Sequence, residues 1–288
     1  MQLSPNVHAL RLPFVVPIGP AIGIERFVTC FVLLGTRTWI VDTGVDGQAD
    51  EILAFVAKLG RRADSIERIL LTHGHVDHMG SAKALVARTG AQFYGHPAER
   101  QWVENIDVQS RERPVPGFFQ LLRESVKLDH ELVDGAVFEL APDLHVRVLH
   151  VPGHSPGSCA FLIEEQGILL SGDAVPVVGD MPVYDEPRAS LQSLAKLTAL
   201  PKLRILAGAW DDSRAGVALR GALAMGSRIV LSLHRAVRDQ AAPADEGDKM
   251  AYCRAILARR GLPATWANPM VLRTLLGHLA QRDQTFEP

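Results

Sequence analysis

Within Thr72-His73-Gly74-His75-Val76-Asp77-His78, three imidazoles and one carboxylate fall inside six residues. Alternate side chains of an extended segment leave the same side of the backbone, so His73 and His75 can face one metal ion. Asp77 and His78 lie where the chain turns into a helix and can face a second ion. Imidazole and carboxylate are good ligands for first-row metals, and zinc, manganese or iron needs no thiolate beside them. One histidine in such a loop reads as an ordinary surface polar group. Three histidines and an acid at this spacing, on a strand end, read as a metal site.

The elements around the run are placed to hold it. Residues 66–71 are a short apolar strand leading straight into it, and residues 79–88 have helical spacing up to Gly90. Upstream, residues 7–16, 27–34 and 38–41 are β-branched apolar runs, the last ending at Asp42-Thr43-Gly44. Residues 49–59 carry apolar positions at helical spacing, and 91–95 form the next strand. From 97 to 132 the pattern is helical but broken at Pro114-Val115-Pro116-Gly117, an insertion suited to a lid. Strand character returns at 136–140, 145–151, 158–164 and 167–170. A helix follows over 187–200, a last strand over 203–206, and helices again over 215–240, 249–260 and 269–282. Two strand-rich stretches separated by crossover helices predict an α/β fold with two sheets face to face under helical layers.

Composition narrows the function classes. The chain has 288 residues, 47% of them hydrophobic and 22% charged, enough for one large domain with an appended helical piece. Its formal net charge of −2 supplies no field for nucleic acid or an anionic membrane, so neither is expected as a partner. The apolar stretches read as shorter than the ~20 residues a bilayer requires. Residues 1–6 lack the basic start and apolar block of a secretory signal. Cys30, Cys159 and Cys253 are scattered and odd in number, which predicts buried free thiols and a reducing cytoplasm.

The His73-x-His75-x-Asp77-His78 run resembles the HxHxDH motif of the metallo-β-lactamase superfamily, and further matches follow in order. Asp42 in Val41-Asp42-Thr43-Gly44 resembles the early Asp that supports the metal loop from behind. His154 in Pro152-Gly153-His154-Ser155-Pro156-Gly157 resembles the next metal-binding His, and Asp173 in Ser171-Gly172-Asp173 the Asp that bridges two metals. The resemblance implies an αββα sandwich of two mixed sheets over residues 1–212, carrying the 97–132 insertion, with a helical extension over 213–288 packed on it. It further implies that His73, His75 and His154 hold one ion and that Asp77, His78 and Asp173 address a second. The cofactor would be Zn²⁺, one or two per chain, with Fe or Mn as alternatives. Asp77 would serve catalysis by steering the metal-bound hydroxide or accepting its proton. Gly153-His154-Ser155-Pro156-Gly157-Ser158 is typical of the glyoxalase II-like and lactonase branches, which implies hydrolysis of a thioester or lactone of a small molecule.

One ligand is missing from this pattern. The superfamily's last His follows the final strand, where this chain reads Ala207-Gly208-Ala209-Trp210-Asp211-Asp212, with Ala209 in its place. Asp211 or Asp212 could reach in, water could fill the gap, or one metal alone could bind. His234 lies among the apolar residues of a helix and reads as a helix-face histidine. His96 and His150 read as packing or support, whereas His8, His130, His145 and His278 have no supporting context. Trp102, Phe118, Phe119 and Met181-Pro182-Val183-Tyr184 are candidates to line a pocket. Two further readings follow from the missing ligand: a mononuclear-iron persulfide dioxygenase using His73, His154 and Asp173, or a relative with impaired metal affinity. The C-terminal helices could shape the pocket or a homodimer interface.

Overall fold

The computed structural model describes residues 1–19, 22–245 and 247–286. The first sheet is built from β1 (Gln2–Ser4), β2 (Val7–Gly19), β3 (Ile22–Leu34), β4 (Thr38–Val41), β5 (Ile66–Leu70), β6 (Gln92–Gly95) and β7 (His130–Glu131), in that spatial order. β1 to β4 pair antiparallel, and β4 to β7 run parallel. Parallel neighbours need crossovers. Helix α1 (Ala49–Lys58) leads to β5. Helices α2 (Val76–Met79) and α3 (Ala82–Thr89) lead to β6, and α4 (Arg100–Glu104), α5 (Ile106–Glu112) and α6 (Phe118–Leu121) to β7.

The second sheet is a meander of β8 (Val137–Ala141), β9 (Leu144–His150), β10 (Cys159–Ile163) and β11 (Ile168–Gly172). Helix α7 (Pro187–Thr198) then crosses to β12 (Ile205–Gly208), parallel to β11, and β13 (Arg214–Ala215) closes the far edge. Side-chain alternation sorts these strands into three apolar layers. Phe31, Leu33, Trp39, Val146 and Phe161 meet between the sheets. Cys30 and Val32, one residue out of phase, pack with Ile52, Val56 and Leu85 under α1 and α3. Ala160 and Leu162 pack with Leu194, Val230, Ile256 and Leu275 under α7, α8 (Gly216–Arg238), α9 (Lys249–Arg259) and α10 (Pro269–Ala280). The result is the expected αββα sandwich with helices added at the C-terminus.

The structure departs from the sequence reading where tertiary contacts override local pattern. The helix expected over 79–88 is two helices, because Gly80 donates its N–H to Gly44 O at 2.8 Å and Ser81 Oγ donates to Val45 O at 2.6 Å. A Cβ at Gly80 would lie 2.4 Å from the Val45 backbone, so this approach needs glycine. The last strand sits at 205–208 rather than 203–206, and β1, β7 and β13 are too short to carry any periodicity. Helix α8 has 23 residues, and an 18-residue stretch of it has a mean hydropathy of 1.3, so it is long and apolar enough by composition to cross a membrane, contrary to expectation. Its residues Leu219, Leu223, Val230, Leu233 and Val237 are buried in the layer under the second sheet.

Candidate metal centre

The site lies where β4, β5, β11 and β12 end, joined by the loop between β9 and β10. Asp42 follows β4 at φ 60°, a conformation that Asp tolerates better than most residues. Its Oδ1 accepts from Thr72 N at 2.8 Å, and its Oδ2 accepts from Thr72 Oγ1 at 2.7 Å and faces His78 Nδ1 at 2.8 Å. One buried carboxylate thus fixes the start of the His-rich loop and the ring at its end. His78 Nε2 is thereby aimed at Asp77 Oδ2 and Asp173 Oδ1, each 3.4 Å away.

His73, His75 and His154 converge on the other side. His154 Nε2 lies 3.1 Å from His73 Nε2 and 2.9 Å from His75 Nδ1. His154 Nδ1 faces Val183 O at 2.6 Å and must donate to it, which leaves Nε2 a bare lone pair. Thr72 Oγ1 spends its proton on Asp42, so it accepts from His73 Nδ1 at 3.1 Å and leaves His73 Nε2 bare as well. Two lone pairs therefore face each other at 3.1 Å, and His75 Nε2, His78 Nε2 and Asp173 Oδ1 are buried without a hydrogen-bond partner. Burial at this cost fits a bound cation and little else. Among the described residues two overlapping sets have the spacing to hold one: His73, His75 and His154, and His73, His78 and Asp173.

Electrostatics agrees. Burial, reinforced by the neighbouring His78 and His154, holds His73 well below its usual pKa; burial and Arg113 do the same to His75. Burial also lowers His154. All three are neutral imidazoles at neutral pH, the form that binds metal. His78 is different: burial works against its charge, but Asp77, Asp173 and Asp42 outweigh burial and hold it well above its usual value. Asp173 is pulled well below the carboxylate range, burial being overcome by His78 and His154. The proton on His78 balances the acids around it, and a cation among them would replace that proton.

Ala209 is buried at the cavity wall and contributes no donor atom. The next residue acts instead: Trp210 Nε1 donates to Asp173 Oδ2 at 2.8 Å. The Arg26 guanidinium covers the indole at 4.5 Å and is itself held by Asp180 at 2.7 Å. Neither proposed substitute reaches the metal loop. Asp211 pairs with Arg214, and Asp212 pairs with Arg11 on the surface. His234 is buried on α8 and bonded to Gln284 O, and His96 stacks on His150 at 4.0 Å. Sequence reasoning missed Glu99, which is 1% exposed. It accepts from Gly74 N at 3.1 Å, Gly157 N at 2.6 Å and Ser155 Oγ at 2.6 Å, tying the His75 loop to the His154 loop. A Cβ at Gly157 would lie 2.5 Å from Glu99 Cγ, so that glycine is the one local trace of this carboxylate.

A cavity of about 630 Å³ opens above the site, with His75, Asp77, His154 and Asp173 in its floor. Its walls come from the β2–β3 hairpin, the 97–132 insertion, residues 175–183 and the turn before α10. Of the residues expected to line it, Met181 and Val183 do. Phe118 and Tyr184 are buried in the apolar layers instead, and Trp102 is buried with its Nε1 donating to Glu112. Phe119 is exposed to solvent.

The model of the metallo-beta-lactamase superfamily matches residues 23–210, about two thirds of the chain and every residue of the two clusters. The chain belongs to that superfamily. Among curated relatives, an uncharacterised protein of Aquifex aeolicus is 29% identical over 70% of this chain and 91% of its own length. A hydroxyacylglutathione hydrolase of Brucella anthropi is 28% identical over 64% of this chain, and the alignment spans 63% of that enzyme. A metallo-beta-lactamase family protein of Thermus thermophilus superposes with a TM-score of 0.75 at 22% identity, covering 98% of this chain and 95% of that one. The superposed length takes in α8 to α10, which lie beyond the matched part of the superfamily model, so the C-terminal helices are part of a shared fold.

Proposed function

We propose that the chain is a metal-dependent hydrolase that cleaves an ester-like bond, a thioester or lactone, of a small molecule. The observation that carries this reading is the set of bare, buried imidazole nitrogens of His73, His75 and His154 beside Asp77, His78 and Asp173, at the floor of a cavity sized for a small ligand. His73, His75 and His154 would hold one ion, and Asp77, His78 and Asp173 would address a second. Three imidazoles with carboxylates suit Zn²⁺, and Fe or Mn can use the same donors. A bound cation supplies an acidified water as nucleophile near neutral pH and polarises the carbonyl under attack.

The chain's own residues supply the rest. Asp77 lines the cavity, is placed to accept the nucleophile's proton, and can return it to the departing thiolate or alkoxide. Val183 O fixes the His154 tautomer, and Asp42 fixes His78, so each ligand nitrogen is presented without rotamer search. The hydroxyacylglutathione hydrolase among the relatives supports thioester chemistry. Three buried free thiols support a reducing compartment such as the cytoplasm.

Trp210 on Asp173 and the absence of a donor at Ala209 favour one further reading, a single iron held by His73, His154 and Asp173 in a dioxygenase of persulfides. Metal analysis of the purified protein, together with a panel of thioesters and lactones, separates the two. Zinc or manganese with hydrolysis that His75→Ala abolishes is the expected result. Hydrolysis surviving that substitution, or one iron with oxygen uptake on a persulfide, overturns it.

A further inference from the structure

The cavity walls carry information about the substrate beyond the bond that is cut. Phe14, Val16, Val115, Val177, Met181 and Met270 face the space above the metal floor. Among the described residues two cationic side chains border it, Arg26 and Arg113, and both are committed. Arg26 is paired with Asp180 at 2.7 Å and sits over the Trp210 ring at 4.5 Å. Arg113, 6% exposed, pairs with Asp185, which Arg273 also contacts at 2.9 Å. To reach a substrate carboxylate, Arg26 would have to leave Asp180 and Arg113 would have to leave Asp185 to Arg273 alone, an exchange of one ion pair for another. A substrate carboxylate held against the walls, away from the metal floor, thus meets apolar side chains and guanidinium groups that are already paired.

A hydrocarbon chain meets the opposite situation. The walls come from four separate parts of the chain, with valine and proline the commonest residues and Met181 and Met270 among them. Methionine's unbranched side chain adapts to ligands of varied outline, as a flexible alkyl chain requires. The volume of about 630 Å³ lies well inside the range that buries most of a small ligand.

We infer that the substrate's acyl part is a medium-length hydrocarbon chain, and that the 114–116, 175–177, Met181 and Met270 walls set this preference. The inference rests on the hydrolase reading for the bond cleaved, though not for binding of the chain. The reaction is addition of water across the acyl bond: the acyl carbon gains the oxygen, and the thiol or alcohol leaves with the proton.

The test is kcat/KM for butanoyl, hexanoyl, octanoyl and decanoyl thioesters of one small neutral thiol, with lactoylglutathione for comparison. Burial of each added methylene should raise kcat/KM by up to about fourfold until the cavity is full. Met181→Glu and Met270→Glu should each flatten the series. Calorimetry on the protein as purified, comparing octanoate with lactate, supplies a second readout in which the carboxylate is common to both. Hydrolysis with a flat or falling series, or lactoylglutathione turned over as well as the octanoyl ester, overturns this inference and leaves the hydrolase standing. Octanoate binding well above lactate with no thioester or lactone hydrolysed overturns the hydrolase and leaves the hydrocarbon site. Equal, weak binding of both acids also overturns the inference.

Discussion

Replacing Glu99 with alanine should loosen both metal loops at once. The carboxylate accepts from the backbone of Gly74, next to His73 and His75, and from Gly157 and Ser155, on either side of the turn after His154. Ser155 Oγ keeps a second partner in Ser158 Oγ at 2.8 Å, so the truncation strands two buried N–H groups. At about 1–2 kcal/mol each, with about 1 kcal/mol for the vacated volume, the loss is about 3–5 kcal/mol. For a chain of this size, with roughly 2 °C per kcal/mol, the melting temperature of the metal-free protein should fall by roughly 6–10 °C. Support residues of this kind typically change metal affinity by about 10–100-fold, so zinc competition against a chelator should weaken by that much. Glu99→Gln keeps the volume and one acceptor, and should fall between the two. A melting temperature within about 2 °C of the parent, with unchanged zinc affinity, would refute the claim that Glu99 couples the loops.

Three further outcomes are expected. Ala209→His adds an imidazole at the cavity wall near Asp77, His78 and Asp173, and should raise the metal content of the purified protein; stoichiometry by mass spectrometry checks it. Thr274→Val removes both Oγ1 hydrogen bonds that hold Tyr184, whose neighbour Val183 orients His154. Zinc affinity should drop several-fold in that variant while far-ultraviolet circular dichroism stays the same. His278 is buried against Tyr184 and His234, and burial lowers its pKa to about 3. The unfolded chain, with an ordinary imidazole, binds more protons between about pH 6.5 and 3, so His278 destabilises the fold as pH falls through that window. The slope is of order 1.4 kcal/mol per pH unit, and His278→Gln should remove about that much from the pH dependence of urea unfolding.

Local chemistry was legible without coordinates. The two-residue spacing of His73 and His75 on an extended segment, the strand before them and the glycines around His154 are short-range features, each dictated by backbone periodicity or turn geometry. The sandwich followed from the order of strand-like and helix-like stretches, and the alanine at 209 was plain by its position. What the spacing left open was partnership across long separations. Glu99 carries no mark in the sequence, because nothing in its neighbourhood signals that Gly157 will lie against it. Trp210 read as a residue after the missing ligand, and only the approach of β11 and β12 sets its indole N–H on Asp173. Asp211 and Asp212 remained candidate ligands until the fold turned them toward Arg214 and Arg11. The sequence by itself determined which side chains can bind a cation and which strand ends present them. Tertiary structure decided their tautomers, their support and the apolar walls above them, because buried donors and acceptors are matched by proximity in space, which residue spacing along the chain does not encode.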